Sequence, residues 1–308
     1  MKSEQLVEKS FGTHDGSFHA DEVTACALLL LFGRIDVKKI VRSRDEKQLA
    51  LCEYVCDVGG IYDPQKKRFD HHQVTYQGPL SSAGMVLLYL KEEKLLDACE
   101  YQFLNQTLIL GVDAQDNGRD PSPLGVLSFS ALVAHLNPVH YNALPQEMDA
   151  AFHQAVLFVL GYLQRLKERF IYAQSCKEMV QQAMEGSCFC LLFSESLPWQ
   201  DLFFELGGAH HPALFVIMPS GAHWKLRGIP PTLSEKMRVR IPLPVEWAGL
   251  SGEDLCKASG IDGAIFCHKG QFISVWKTRQ DALMALLWIL KKEGKVQHDY
   301  DFWKNHSA

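Results

Sequence analysis

Along the first third of the chain, apolar and polar positions switch between the period of a strand and that of a buried helix. Residues 11–13 (FGT) read as a strand end. Residues 21–32 (DEVTACALLLLF) are apolar on all sides after an acidic start, which predicts a buried helix. Residues 39–42 (KIVR) predict a short strand, 45–51 a short helix, and 54–58 (YVCDV) a second apolar strand stopped by Gly59-Gly60. Residues 68–70 predict one more strand. This βαβαβ rhythm implies a largely parallel sheet with helices on its faces. Residues 81–97 predict a helix with Ser81 or Ser82 as N-cap, and 100–112 continue helical. Residues 114–124, rich in Asp, Asn, Gly and Pro, predict a loop, and 146–185 a long helical stretch.

The pattern changes near Gly186. Strand-like runs follow at 188–193, 213–218, 223–229, 264–268 and 271–276, with a last helix over 278–293. With 308 residues, two domains are expected, over 1–186 and 187–308, both α/β and the second smaller.

Charge and composition narrow the function. The net charge of −5 excludes a basic coat for nucleic acid, so a polyanionic substrate has to be gripped by a local site. The nine cysteines have no framework spacing. Cys52 with Cys56, and Cys188 with Cys190, would each be half a zinc site, but no second half follows, so they read as structural thiols of a reducing cytoplasm. The longest apolar runs, 25–32 and 282–290, fall short of the roughly 20 residues a membrane span needs, which points to a cytoplasmic protein without a membrane partner. Residues 283–290 suit either a core or a homodimer face.

Candidate chemistry concentrates in four segments: 12–22 (GTHDGSFHADE), 56–60 (CDVGG), Asp70-His71-His72, and 111–118 (GVDAQDNG). Three lie at predicted strand ends, where open α/β sheets bind ligands. Mixed imidazole and carboxylate donors suit Mn²⁺, Mg²⁺ or Co²⁺ better than a structural zinc. Asp116-Asn117-Gly118 alone reads as a turn. Arg42 and Arg44 would clamp phosphate or flank the sheet edge. Ser81, Ser82 and Gly84 would offer backbone N–H groups to a phosphate or form an ordinary helix start. In the C-terminal half, Arg227, Arg238, Arg240, Lys269, Lys277 and Arg279 near Trp224 and Trp276 form the basic and aromatic mixture that single-stranded nucleic acid requires.

The segments GTHDGSFHADEVTACALL, VRSRD, VCDVGGIYDP, RFDHHQ, LSSAG and GVDAQDNG resemble the Myg family of 3′–5′ exonucleases in the DHH phosphoesterase superfamily. The resemblance continues through Leu136-Asn137-Pro138, 240–250 and 259–273. It implies a parallel-sheet DHH phosphoesterase-like domain that includes the long linking helix, followed by a substrate-binding α/β domain. It further implies two divalent ions, Mn²⁺ in the first instance, with His14 and His19 on the first ion, Asp21 and His71 on the second, Asp57 bridging, and Asp113 completing the set. The wider superfamily has an Asp where His19 stands. Asp70 would orient His71, and His72 would donate to a phosphoryl oxygen, so Asp57, Asp70 and His72 are the implied catalytic residues. The implied reaction is 3′–5′ hydrolysis of single-stranded RNA or DNA by a water activated between two metals. Two alternatives stand beside it. One is a phosphoesterase for short oligonucleotides, nucleotides or pyrophosphate, favoured by the acidic charge and by Ile273-Ser274-Val275-Trp276 replacing a Gly-Gly-His-type motif of related proteins. The other is a nucleic-acid-binding protein without turnover, which the full set of six candidate ligands disfavours.

Overall fold

The computed structural model describes residues 5–119, 123–235 and 237–296. The chain forms two compact units, Met1–Phe170 and Ile171–Ala308.

The first unit carries a five-stranded sheet in the order β2-β1-β3-β5-β4, from β1 (Val7–Thr13), β2 (Ile40–Arg42), β3 (Cys52–Cys56), β4 (Tyr62–Asp63) and β5 (Arg68–Phe69). All neighbours are parallel except the β4 edge, which pairs antiparallel with β5. The parallel core follows from the predicted alternation of strands and helices. Helix α1 (Ala20–Leu31) is buried from Ala20 to Leu29, as expected for a helix that is apolar all round. It joins α3 (Ser82–Glu92), the aromatic rings of Phe11, Tyr54 and Phe69, and later helices in one large core. Short α2 (Glu46–Ala50) supplies Leu49 to a smaller cluster with Cys52 and Val55.

Helices α4 (Ala98–Leu104) and α5 (Leu110–Asp116) are joined without a break by one π turn, Asn105–Ile109. The helix thus runs three residues into the predicted 114–124 loop, of which 120–122 lie outside the described residues. After α6 (Phe129–Ala134), α7 (Pro145–Ser175) buries Phe152, Ala155, Val156, Val159, Leu163 and Leu166, a stripe at three- and four-residue spacing. Gly161 does not interrupt it; the helix ends before Cys176, and α8 (Lys177–Glu185) follows.

The division at Phe170 falls inside α7, not after Gly186 where composition changes. Composition marks where strands resume. The helix changes its packing earlier, because Cys176 and Val180 are buried with Leu191, Phe203 and Val216 of the second unit. That unit has a sheet of order β6-β7-β8-β10-β9: β6 (Cys190–Leu192), β7 (Phe215–Ser220), β8 (His223–Gly228), β9 (Ala264–Cys267) and β10 (Ile273–Trp276). Only β6 and β7 are parallel. Cys176 at the N-cap of α8, Val180 within it, and Leu202 and Phe203 of α9 (Trp199–Glu205) share a cluster with Leu191 and Val216, neighbours of the strand residues Cys190, Phe215 and Ile217. Those three pack with Leu255 of α10 (Gly252–Ser259) and with α11 (Arg279–Lys292). Leu283, Leu286, Leu287 and Leu290 of α11 fill this core, so the second unit itself covers that leucine face. Trp276 is fully buried and Trp224 packs against the same core, which removes both from the predicted stacking patch. No helix among the described residues is long and apolar enough to cross a membrane.

Candidate metal centre

Strands β1, β3 and β5 end side by side, and each ends on a segment rich in His and Asp. His14 follows β1. Asp57 follows β3 with a left-handed backbone (φ 59), a conformation that Asp adopts at lower cost than most residues. This turn brings both carboxylate oxygens into use. Oδ2 lies 3.2 Å from His14 Nε2, while Oδ1 lies 3.6 Å from His71 Nε2 and 3.3 Å from His72 Nδ1. Asp57 therefore stands between two sets of imidazoles.

Helix α1 contributes the rest of the first set through its own start. His19 is the N-cap, and its N–H donates to Glu22 Oε1 at 2.8 Å, the reciprocal bond of a capping box. Glu22 Oε1 is also 3.2 Å from His14 Nε2. Asp21 and Glu22 sit in the first turn, where the helix dipole favours carboxylates. Both are fully buried, and neither oxygen of Asp21 nor Oε2 of Glu22 has a donor. A buried carboxylate without a donor costs several kcal/mol unless a cation faces it. Three groups place their ligand atoms within 4.8 Å of one another: His14, His19, Glu22 and Asp57; Asp57, His71 and His72; and His19, Asp21 and Asp116. Imidazole and carboxylate donors of this kind fit a divalent cation.

Charge within the cluster is strongly shifted. Burial alone would lower the His14 pKa, but its contacts with Asp57 and Glu22 raise it to about 10. His71 is likewise raised to about 10 against burial, through Asp116 and Asp57. Asp57 is held down at about 2 although burial opposes this, by His14 and His71. Asp21 is pushed well above the carboxylate range by burial and by the charges of Glu22, Asp57 and Asp116.

Several sequence expectations change here. Asp113 lies outside all three groups. Its Oδ1 accepts from Ser81 N–H at 2.9 Å, Ser81 Oγ at 2.7 Å and Gly84 N–H at 3.1 Å, so it caps α3 from a neighbouring helix. Asp116, one helical turn further and expected as a turn residue, is 3.0 Å from His71 Nε2 and belongs to the third group. The signal was present as two acids three apart at a helix end, which share one face. Glu22 was also missed; its position three residues after the N-cap was the clue. Ser81, Ser82 and Gly84 offer nothing to a phosphate. Both serines are fully buried, Ser82 Oγ donates to Phe69 C=O at 2.7 Å, and a Cβ on Gly84 would lie 2.3 Å from Asp113 Oδ2.

Arg42 is likewise committed. Its guanidinium donates to Gly16 C=O at 2.5 Å and Asp149 Oδ1 at 3.1 Å, and it lies over Phe152 at 4.8 Å. Arg44 is exposed and pairs with Asp15 at 3.2 Å. Asp70 orients His72, not His71: Oδ1 accepts from His72 N–H at 3.0 Å and faces its Nδ1 at 2.8 Å, while Oδ2 accepts from Gly60 N–H at 2.6 Å.

Replacing Asp113 by Ala is expected to cost about 2 kcal/mol of stability in denaturant melts, from a lost cap and orphaned buried donors. Divalent-metal stoichiometry, read by calorimetry, is expected to remain that of the unaltered protein.

A cavity of about 330 Å³ opens on the cluster, lined by His19, Asp57, His72, Gln115, Asp116 and Ser130 among others. A parallel α/β sheet with a buried imidazole–carboxylate cluster at its strand ends, opening on such a cavity, defines a candidate divalent-metal centre beside a ligand-sized space. Residues 10–287 match the sequence model of the MYG1_exonuc family, described as Uncharacterised protein family (UPF0160). The chain belongs to that family. It is 53% identical over 290 residues to MYG1 protein of Chlamydia muridarum (strain MoPn / Nigg), covering 94% of this chain and 99% of the relative. It is 33% identical over 325 residues to MYG1 exonuclease of Homo sapiens, covering 92% and 86%. RecJ of Thermus thermophilus, solved in complex with Mn²⁺, aligns with a TM-score of 0.29 and 14% identity, over 94% of this chain and 53% of that one.

Proposed function

We propose that the protein is a metal-dependent exonuclease that hydrolyses single-stranded RNA or DNA from the 3′ end, using two divalent ions, with Mn²⁺ the first candidate. The observation that carries this reading is Asp21. Its two oxygens are wholly buried without a donor, beside His19 and Asp116. A cation at that place supplies the missing counter-charge. The name MYG1 exonuclease borne by relatives supports the choice of reaction.

In this reading His14, His19, Glu22 and Asp57 hold one ion. Asp57, His71, Asp116 and Asp21 hold the other. When bound as a pair there, such ions would supply a hydroxide nucleophile near neutral pH and offset the charge that develops on the phosphodiester. Asp70 fixes the His72 ring through Nδ1, which leaves Nε2 as its free nitrogen at the cavity. From there the His72 ring is placed to contact a phosphoryl or leaving oxygen. The second unit is assigned to substrate binding. Arg227 and Lys225 flank Leu226 on β8, and exposed Phe266 takes the place foreseen for the two tryptophans.

The test is end-labelled single-stranded RNA and DNA incubated with the purified protein and Mn²⁺, beside Asp57→Asn and His71→Ala. Stepwise shortening from the 3′ end that both substitutions abolish is the expected result. Turnover confined to dinucleotides or pyrophosphate would replace the substrate. Tight binding without cleavage under Mn²⁺, Mg²⁺ or Co²⁺ would overturn the enzymatic reading.

A further inference from the structure

One side chain holds the loop between His14 and His19 from outside the cluster. Asn137, just beyond α6, accepts at Oδ1 from the Phe18 N–H at 3.0 Å. Its Nδ2 donates to the Phe18 carbonyl at 2.9 Å and to the Ala134 carbonyl, in the last residue of α6, at 3.1 Å. One acceptor and two donors are therefore all engaged, a pattern that an amide satisfies and a carboxylate does not.

The consequence lies in the next peptide group. The Phe18 carbonyl and the His19 N–H belong to one rigid plane. Asn137 fixes its oxygen side, and Glu22 Oε1 fixes its N–H side at 2.8 Å. Phe18 itself is fully buried, edge-on to Phe152 with ring centres 5.6 Å apart. With the plane pinned on both sides, the backbone that presents His19 is set before any metal arrives.

We infer that Asn137 is a positioning residue of the metal centre, which ties the Phe18–His19 peptide to the end of α6 and so aims His19 at the carboxylates of α1. This rests on the two-ion reading, which leaves Leu136-Asn137-Pro138 without a chemical role. Preorganisation of this sort is normally worth 10- to 100-fold in metal affinity.

The test uses metal-stripped full-length protein, Mn²⁺ titrated by calorimetry and followed by electron paramagnetic resonance, and melting temperatures in EDTA. Asn137→Asp keeps the size and the acceptor but turns two donors into an oxygen facing two carbonyls. Asn137→Ala removes all three bonds. Val133→Ala, at a fully buried position of α6 that makes no bond to the loop, is the control for packing alone. The unaltered protein is expected to bind two Mn²⁺. Both Asn137 variants are expected to weaken one site 10- to 100-fold and leave the other unchanged, with an altered resonance signal. Val133→Ala is expected to lower the melting temperature and leave both affinities intact. If Asn137→Ala does not fold, Asn137→Asp gives the reading. Unchanged affinities in the Asn137 variants, or an equal loss in Val133→Ala, would overturn the positioning role alone. Absence of Mn²⁺ binding in the unaltered protein would overturn the two-ion reading and this inference with it.

Discussion

Asparagine at position 21 is expected to make the metal-stripped protein more heat-stable and to abolish its Mn²⁺-dependent hydrolysis. Asp21 is wholly buried, has no donor, and shares its surroundings with Glu22, Asp57 and Asp116. An amide relieves the repulsion and brings two donors, but it is a poor metal ligand. Loss of one ion's grip is expected to cost about 4 kcal/mol of transition-state stabilisation, or about a thousandfold in rate. The stability gain has a defined pH dependence. The folded-state pKa of Asp21 is raised above the unfolded value of 3.8. Below that value both states hold the proton and Asp21 contributes no instability. As pH climbs, the unfolded chain ionises first, and folding is penalised by up to about 1.4 kcal/mol per pH unit until the folded pKa is reached. Melting temperatures of Asp21→Asn and the unaltered protein in EDTA should therefore coincide near pH 4 and diverge towards neutrality, at roughly 2–4 °C per kcal/mol for a unit of this size. Equal melting temperatures at pH 7.5 would show that the carboxylate is not strained.

Metal affinity is expected to climb steeply with pH. His14 and His71 are both held near pKa 10 by carboxylates in the metal-free protein. A cation binding through these rings has to displace their protons, so the two rings release two protons when both ions bind below about pH 10. The combined binding constant should rise about a hundredfold per pH unit between roughly pH 7 and 9, tenfold for each proton. Calorimetry in buffers of different ionisation enthalpy counts the protons directly, and release near zero at pH 7.5 would contradict the assignment of His14 and His71. The metal-free fold moves the opposite way. A raised His pKa contributes stability fully present below the unfolded value near 6.5 and lost as pH rises through about 10. Chelation should therefore hurt the protein more in alkali than near neutrality.

Much of this architecture was legible in the sequence, because it rests on local periodicity. The helix at 21–32 and the strands before Asp57 and Asp70 announce themselves by apolar runs that end in glycine or acid. The convergence of His14, Asp57 and His71 followed from strand order in a parallel sheet. What stayed hidden depends on helix phase and on partners distant in the chain. Asp113 and Asp116 are equivalent on paper; it is the approach of Ser81 and Gly84 that engages Asp113 Oδ1 and sets the two acids apart. For Arg42 a phosphate clamp and a sheet-edge role both stood open, because its partners Gly16 and Asp149 are remote from it in sequence. Asp70 pairs with His72 through an Asx-type bond to the His72 N–H, and nothing in the tripeptide favours that histidine over His71. Trp224 and Trp276 were misread because charge beside an aromatic residue says nothing about which face of a strand the ring takes.

The π turn at Asn105–Ile109 gives the gene a spare codon. Such a turn fits one residue more than a regular helix would. Losing three nucleotides there, with the reading frame intact, would restore an ordinary helix in which everything downstream keeps its direction around the axis relative to α4. Asp113 would still face Ser81 and Asp116 would still face His71, whereas the same loss from an unbulged helix would turn both acids by about 100°.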